Sequence, residues 1–470
     1  MKILLVSLNS LEYTSSRNRT VPVPLLYLAS NLFAHGHQAR ILDFSVIAIP
    51  ENSDPQSYSL ALLEGEIVSC KPEIIGINCY TSMHFPMVRE FAGAVKKNHP
   101  DIPVVIGGVH PTLFPKEILV NCPEIDFVVI GEGENQIVAL ADKLNAVNDL
   151  SDIQALAWRN SDNEVVVNHR QNFIKDLNSL PRAAWNAINL KDYYSDHSTW
   201  YNPKSKNIRL SVPILTSRSC PFNCNFCTCY ANMGRIFRRR NTYSVVDEIE
   251  YLYAEYGQNY FRILDDNFVL IKQHVIDICD EIIRRNIDIQ IEASCGLHIA
   301  SLDEELIAKM AEAGVIFAVL PIEHGNDWLR NQVIGKNLPR ENIFTVASLF
   351  KKYHMLTSGA FVMGFPEDTR ETLEDTYRLI MELELDLNYV LTLIPFSGSA
   401  VFEQARKDNL FTRALDCENL WTGKYIFDGL QRESFYIKPY NMTLDDLAEY
   451  REKFNKLKFF SKKAKFLNCA

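Results

Sequence analysis

Residues 210–230 read LSVPILTSRSCPFNCNFCTCY, an apolar run that breaks directly into three thiols, Cys220, Cys224 and Cys227, at CxxxCxxC spacing. A strand feeding such a loop places three soft ligands at one strand end. Thiolates so spaced can converge on three corners of an iron–sulfur cube and leave the fourth iron without a protein ligand. That open iron is the chemical point, because it can chelate the amino and carboxylate groups of a small molecule. The alternatives are a zinc knuckle or buried cysteines acting as small apolar residues. A structural zinc site takes four ligands, usually as paired cysteines at two places, and no second pair of closely spaced cysteines stands elsewhere in the chain. Cys229 gives a CxC next to the CxxC, awkward for one metal centre, and reads as a wall residue.

Downstream of the thiols the chain alternates. Strand-like runs VPILTS, YFRILD, IQIEAS, VIFAVL, TSGAFVMG and LNYVLTLIP are separated by helical text such as YSVVDEIEYLYAEY and DEELIAKMAEAG. Six βα units in a row predict a partial (β/α)6 barrel over 206–395, with its site at the carboxyl ends of the strands. Residues 396–470 read as a small α-rich C-terminal region near the substrate. Tyr389, Phe396, Trp421, Tyr425 and Phe427 are pocket-wall candidates there, against the alternative of ordinary core.

Upstream, residues 1–145 alternate in the same way: KILLVS, LLYLASNLFAHG, ARILDF, EIIGINC, MVREFAGAVKKN, PVVIGG, DFVVIG. Continuous apolar strands between amphipathic helices predict a doubly wound parallel sheet, a Rossmann-like α/β domain whose ligand lies beyond the carboxyl strand ends. No GxGxxG follows the first strand, so the dinucleotide fingerprint is absent. The text from 146 to 205 contains a small hairpin around Ser161, Asp162 and Asn163 and the connector DLNSLPRAAWNAI, and reads as a linker.

Composition narrows the function. The chain has 470 residues, and 48 basic against 58 acidic side chains leave a net charge of −10, which argues against nucleic acid as partner. No run approaches the roughly 20 apolar residues of a membrane span. The basic, amphipathic FNKLKFFSKKAKF (454–466) reads as a solvated helix face, with membrane-surface contact as the alternative. Eleven irregularly placed cysteines suit a reducing compartment, so a cytoplasmic protein is expected.

The thiol spacing, with Phe226 before the last cysteine, resembles the radical S-adenosylmethionine (SAM) superfamily. FRILDDNF (261–268), VLPIEHGN (319–326) and GAFVMGFPEDT (359–369) resemble its later strand motifs in order and spacing. The resemblance implies that Cys220, Cys224 and Cys227 hold a 4Fe–4S cluster. It also places Phe226, Asp265, Asp266, Asn267, Glu323, Gly364 and Pro366 around SAM. Strand-end capping is the alternative for Asp265 and Asp266. Two departures stand out: Pro321-Ile322-Glu323 replaces a usual GIE, and neither Leu297 nor His298 supplies the arginine that relatives often carry there.

The N-terminal text, including GINCYTS, VVIGGVHPTLFP and VVIGEGE, resembles the cobalamin-binding domain that precedes radical SAM domains in one large subfamily. That implies cobalamin contacts from Thr81, Ser82, Gly107, Gly108, Val109, His110, Gly131, Glu132, Gly133 and Glu134. The DxHxxG loop of the mutases is missing, so His110 is read as a packing or hydrogen-bonding residue rather than a cobalt ligand. A flavodoxin-like module without corrin is the alternative. The subfamily implies an enzyme that methylates an unactivated carbon or phosphorus centre of a small natural-product, lipid or peptide substrate. It would use a 5′-deoxyadenosyl radical and methylcobalamin, with flavodoxin or ferredoxin as electron donor, and no catalytic side chain beyond the cysteines need be invoked. Retained cobalamin with oxidation, cyclisation or ring rearrangement is the second reading, and a cobalamin-binding sensor or carrier the third.

Overall fold

The computed structural model describes residues 1–8, 19–146, 149–169, 173–195, 201–413, 416, 418–424 and 435–457. Tyr425, Phe427 and most of the basic C-terminal run lie outside them. The chain divides into two compact units.

The first unit is built on seven strands: β1 (Lys2–Ser7), β2 (Gln38–Asp43), β3 (Ile74–Asn78), β4 (Val104–Gly107), β5 (Phe127–Val129), β6 (Leu156–Arg159) and β7 (Val165–Val167). Their order is β2-β1-β3-β4-β5-β6-β7, parallel from β2 to β5 and antiparallel from β5 to β7. Strand alternation sorts the apolar side chains onto two faces. Leu4, Val6, Ile75, Ile77, Ile106 and Val128 pack with Leu63, Ile67, Val88 and Phe91 of the helices Pro55–Cys70 and Phe85–Asn98. Ile3, Leu5, Val105, Phe127 and Val129 pack with Leu25, Ala29, Leu32, Ile137 and Leu140 of the helices Val23–Ala34 and Glu134–Ala146. With both faces covered the sheet is doubly wound, and its direction of travel reverses between β1 and β3, where such sheets open a crevice.

Two expectations about boundaries are corrected. The hairpin read as linker is the antiparallel end of the first sheet, because Leu156–Arg159 pairs with Phe127–Val129 and buries Leu156, Ala157 and Trp158. The first unit therefore runs to Ser195, and it also takes in Ala231–Gly234 together with Asp416 and residues 418–424. Trp421 is not a pocket wall. It is buried in the first unit's core, 6.3 Å from Phe85 between ring centroids.

The second unit carries β8 (Val212–Ile214), the short antiparallel pair β9 (Ser217–Arg218) and β10 (Arg238–Arg239), then β11 (Tyr260–Ile263), β12 (Gln290–Ala293), β13 (Val315–Glu323), β14 (Leu356–Met363) and β15 (Leu387–Thr392). The six main strands pair in parallel in the order β15-β14-β13-β12-β11-β8, with open edges at β15 and β8. Along β13, Ile316, Ala318, Leu320 and Ile322 are buried while Phe317, Val319 and Pro321 are only half-buried. Helices such as Glu304–Glu312 and Arg340–Lys352 cover one face, and the other face lines an open lumen. This is the predicted partial barrel. Tyr389 lies on the lumen face, level with Ala360. The helix Leu444–Asn455 follows a Thr443/Asp446 capping box and buries Leu447, Tyr450 and Phe454, as the α-rich reading of this region requires. Among the described residues no helix is long and apolar enough to cross a membrane.

Candidate active site

In the barrel unit, the loops at the carboxyl ends of β8, β11, β12, β13 and β14 carry every motif the sequence singled out there. Cys220, Cys224 and Cys227 are free, half-buried thiols on the loop after β8 and β9. Burial pushes Cys220 up, and Cys224 up to about 11. Cys229, which opens the short helix Cys229–Met233, stays protonated and donates to Cys227, holding Cys227 down at about 7. Asn267 Nδ2 donates to Cys220 Sγ at 3.8 Å, while its Oδ1 is buried without a hydrogen-bond partner. Among the described residues no three His, Cys, Asp or Glu side chains converge on a point that one metal ion could fill. A mononuclear zinc site would need that convergence, with ligands about 2.0–2.3 Å from the ion. A cube whose corners are ligated separately does not. Three soft donors on one loop, beside an orphaned amide, therefore fit an iron–sulfur cluster.

Adjacent carboxylates after β11 part company. Asp265 is 1% exposed, and both its oxygens are committed. Oδ1 accepts from Thr216 N at 2.7 Å, and Oδ2 accepts from the Thr216 and Ser217 hydroxyls at 2.5 Å. Burial pushes its carboxyl up to about 6 despite those bonds. Asp265 thus secures the chain entering the cysteine loop, and the contact expected of it with SAM is replaced by that structural role. Asp266 accepts from Ser219 N at 3.0 Å and is exposed. Gly296, at φ +72°, closes the floor: a side chain there would stand 2.6 Å from the Asp265 carbonyl oxygen.

At the end of β13 the backbone is bulged and Glu323 sits at φ +69°, an uncommon conformation for a residue with a side chain. Lys336 Nζ donates to its Oε1 at 2.8 Å. The next residue, His324, is wholly buried with Asp368, and their Nε2 to Oδ1 distance is 3.0 Å. His324 Nδ1 accepts from Asn326 N at 3.1 Å, which fixes the proton on Nε2. The second Asp368 oxygen accepts from Gly364 N at 2.7 Å and Phe365 N at 2.9 Å. Arg330, with no exposure, caps the carbonyls of His324 and Leu338 at 2.9 Å each. These four side chains bind the Glu323 loop to the Gly364–Pro366 turn. Sequence reading reached Glu323, Gly364 and Pro366 but missed Lys336, His324, Asp368 and Arg330, whose only signal was proximity in sequence to those motifs. Pro366 is buried and its carbonyl accepts from Tyr440 N at 2.9 Å, while Phe226 stands edge-on to Phe365 at 6.2 Å. The absent arginine is answered by His298 stacking on Phe222 of the cysteine loop, centroids 4.1 Å apart.

In the first unit, the expected cobalamin residues gather at the carboxyl ends of β3, β4 and β5. Gly108 is held at φ +121°, where a Cβ would lie 2.2 Å from the Cys79 carbonyl oxygen, so no other residue fits without moving backbone. Val109 opens the short helix Val109–Leu113 after it, and Gly107 ends β4. Gly131 N donates to Thr112 Oγ1 at 2.8 Å, and Gly133 follows in the same loop. Thr81 is half-buried beside His84 Nδ1 at 3.0 Å. Four residues, Ser82, His110, Glu132 and Glu134, are buried instead. His110 has no exposure; Nδ1 meets Ser82 Oγ at 2.9 Å, Nε2 meets the Trp421 carbonyl at 2.8 Å, and burial pushes its ring down to about 4. Both ring nitrogens of His110 are therefore hydrogen-bonded within the first unit. Glu132 accepts from Ile174 N at 2.9 Å, and the Glu134 carbonyl from Asn31 Nδ2 at 2.8 Å. What remains at the rim is glycine backbone, the buried unpartnered Asn78 Nδ2, and the exposed Tyr80 and Met83. A flat, largely apolar ligand with amide arms fits that rim.

Comparison with known proteins agrees in both halves. A family model described as B12 binding domain matches residues 13–141, and one described as Radical SAM superfamily matches 214–380. An uncharacterized methyltransferase of Pyrococcus horikoshii is 29% identical over 417 residues, covering 87% of this chain and 84% of that protein. An anaerobic magnesium-protoporphyrin IX monomethyl ester cyclase of Rubrivivax gelatinosus is 28% identical over 342 residues, 72% of this chain and 59% of that one. Among solved structures, the radical S-adenosylmethionine methyltransferase TsrM from Kitasatospora setae, with tryptophan substrate and a SAM analogue, superposes with a TM-score of 0.71 at 19% identity. It covers 98% of this chain and 86% of its own, and shows the shared fold. The chain thus carries a B12-binding domain ahead of a radical SAM domain, the pairing of an enzyme whose cofactors are a 4Fe–4S cluster, SAM and cobalamin.

Proposed function

We propose that this enzyme transfers a methyl group to an unactivated carbon or phosphorus centre of a small molecule. The observation that carries the reading is the three-thiol loop of Cys220, Cys224 and Cys227 at the mouth of an open parallel barrel, in a chain that also owns a cobalamin-type sheet. Together the bound groups supply one-electron reduction of a sulfonium, hydrogen abstraction and a transferable methyl.

The chain's own residues do the holding. The three thiols ligate the cluster. Asp266, Asn267, Glu323 and the Gly364–Pro366 turn, with Phe226 at their side, receive SAM. Thr81, the Gly107–Val109 backbone, Gly131 and Gly133 receive the corrin and its tail. Buried Asp265, Asp368 and His324 keep these loops in place and meet no ligand. Methyl transfer is favoured over cyclisation because the methyltransferase relative matches along 84% of its length, the cyclase along 59%. Net charge of −10 supports a small-molecule substrate over nucleic acid. Free thiols at all nine described cysteines support a cytoplasmic setting, with flavodoxin or ferredoxin as the electron donor.

The test is product mass. Anaerobically reconstituted enzyme, reductant, methyl-deuterated SAM and a metabolite extract should yield a labelled product one CH₂ heavier, with S-adenosylhomocysteine. Formation of 5′-deoxyadenosine alongside an unlabelled, oxidised or rearranged product would assign the chain to the cyclase-like chemistry instead.

A further inference from the structure

A cation is built against the cysteine loop, and none of the motifs accounts for it. After the turn Leu329–Val333, the chain is fastened to that loop by backbone: Asn225 N donates to the Ile334 carbonyl at 3.0 Å. Gly335 rests beside it, with a Cβ position 3.5 Å from the Asn223 carbonyl oxygen. This seats Lys336 inward, its side chain 10% exposed and paired with an equally buried Glu323 at 2.8 Å. The neighbouring ring of His298 brings no second charge, since burial, followed by repulsion from Lys336, pushes it down to about 4.

Burying an ammonium is unfavourable unless opposite charge stands close by. Burial works against the Lys336 charge, yet Glu323 and then the Cys224 thiol hold its proton on more firmly than in water. Asn225, whose N–H holds the Ile334 carbonyl, directly follows Cys224 and stands two residues before Cys227, so Lys336 is anchored two residues from a bond to the chain that carries both thiols. A 4Fe–4S core of charge +2 on three thiolates carries one net negative charge, and an added electron makes it two. A fixed positive charge in a poorly screened site stabilises that electron more than it stabilises the oxidised form.

We propose that Lys336 is the residue that sets how easily the cluster is reduced, with Glu323 as the opposing charge that limits it. The electron comes from an external one-electron reductant and stays on the cluster; no bond is made or broken. The inference rests on the cluster reading above.

Its test omits SAM. In reconstituted full-length protein, the cluster is titrated with dithionite at controlled potential and followed by electron paramagnetic resonance, with iron and sulfide measured in each sample. Lys336→Met should lower the reduced-to-oxidised ratio at a fixed potential about tenfold, about 59 mV for a one-electron couple. Lys336→Arg should stay within about twofold of the wild type, since it keeps the charge. Glu323→Gln should shift the ratio in the opposite direction, and the double variant should return close to wild type. Unmoved ratios in Lys336→Met at full iron content would overturn the proposal. Should Lys336→Met fail to hold iron, Glu323→Gln decides: an upward shift upholds the proposal, no shift sinks it. Wild-type protein that takes up no iron refutes the cluster reading itself, a different result from four irons with indifferent potentials.

Discussion

The two units share an architecture, parallel strands with their business at the carboxyl ends, but use that edge in opposite ways. At the rim of the first sheet the side chains able to bond a ligand are turned inward: His110 to Ser82 and the Trp421 carbonyl, Glu132 to Ile174 N, Thr112 to Gly131 N. What faces outward is largely glycine backbone and apolar surface, with the hydroxyls of Tyr80 and Thr81 beside it. At the rim of the barrel the reverse holds, and thiols, Asp266, and the Lys336–Glu323 pair stand ready. A large preformed ligand is held by shape, and backbone supplies shape cheaply. A reactive metal centre must be held through specific donors and neighbouring charge, and only side chains supply those.

The contrast is broken most severely by Cys224→Ala. The variant should lose essentially all iron and SAM cleavage while binding corrin in the same ratio as wild type, measured by iron assay and visible absorbance. Cleavage left intact would mean that side-chain ligation is not what the barrel rim contributes. Gly108→Ala probes the other rim. Strain at φ +121° together with the encroachment on Cys79 should cost about 3–4 kcal/mol in the first unit and lower corrin uptake at least tenfold, with iron unaffected. Full corrin uptake by that variant would remove backbone shape from the argument.

A smaller and sharper effect separates structural from ligand-facing carboxylates within the barrel. The folded-state value for Asp265 is about 6 against an ordinary 3.8, so on raising the pH the unfolded chain releases this proton first. Ionisation then favours unfolding, and stability present below about pH 4 is lost as pH rises through about 6, by roughly 3 kcal/mol in all. Denaturant curves of cluster-free wild type and Asp265→Asn should therefore diverge between pH 4 and pH 7, the wild type losing ground. Parallel curves would return Asp265 to the ligand-facing group.

Much of this was legible in the sequence. Runs such as KILLVS and VIFAVL announce buried parallel strands, and the cysteine spacing announces its chemistry without help from the fold. Strands β6 and β7 were misread because, at four and three residues, an antiparallel edge pair has the same text as a surface hairpin; only pairing with Phe127–Val129 distinguishes them. Asp265 and Asp266 are identical in composition and adjacent in sequence, yet alternation along the extended backbone sends one into the protein and leaves the other exposed. Lys336 and Glu323 meet through a turn whose path no periodicity encodes. His110 is conspicuous as text, but its role depends on a carbonyl 311 positions away.

That last bond bears on how the molecule comes into being. The core around Phe85 and His110 is closed by Trp421, so the interior of the first sheet stays open until a segment 311 positions beyond His110 has been made. Most of the barrel's chain thus runs between segments that belong to the first unit. A fragment cut after the first sheet would present an open hydrophobic wound where a tryptophan belongs, and nascent chains halted in the barrel would share it.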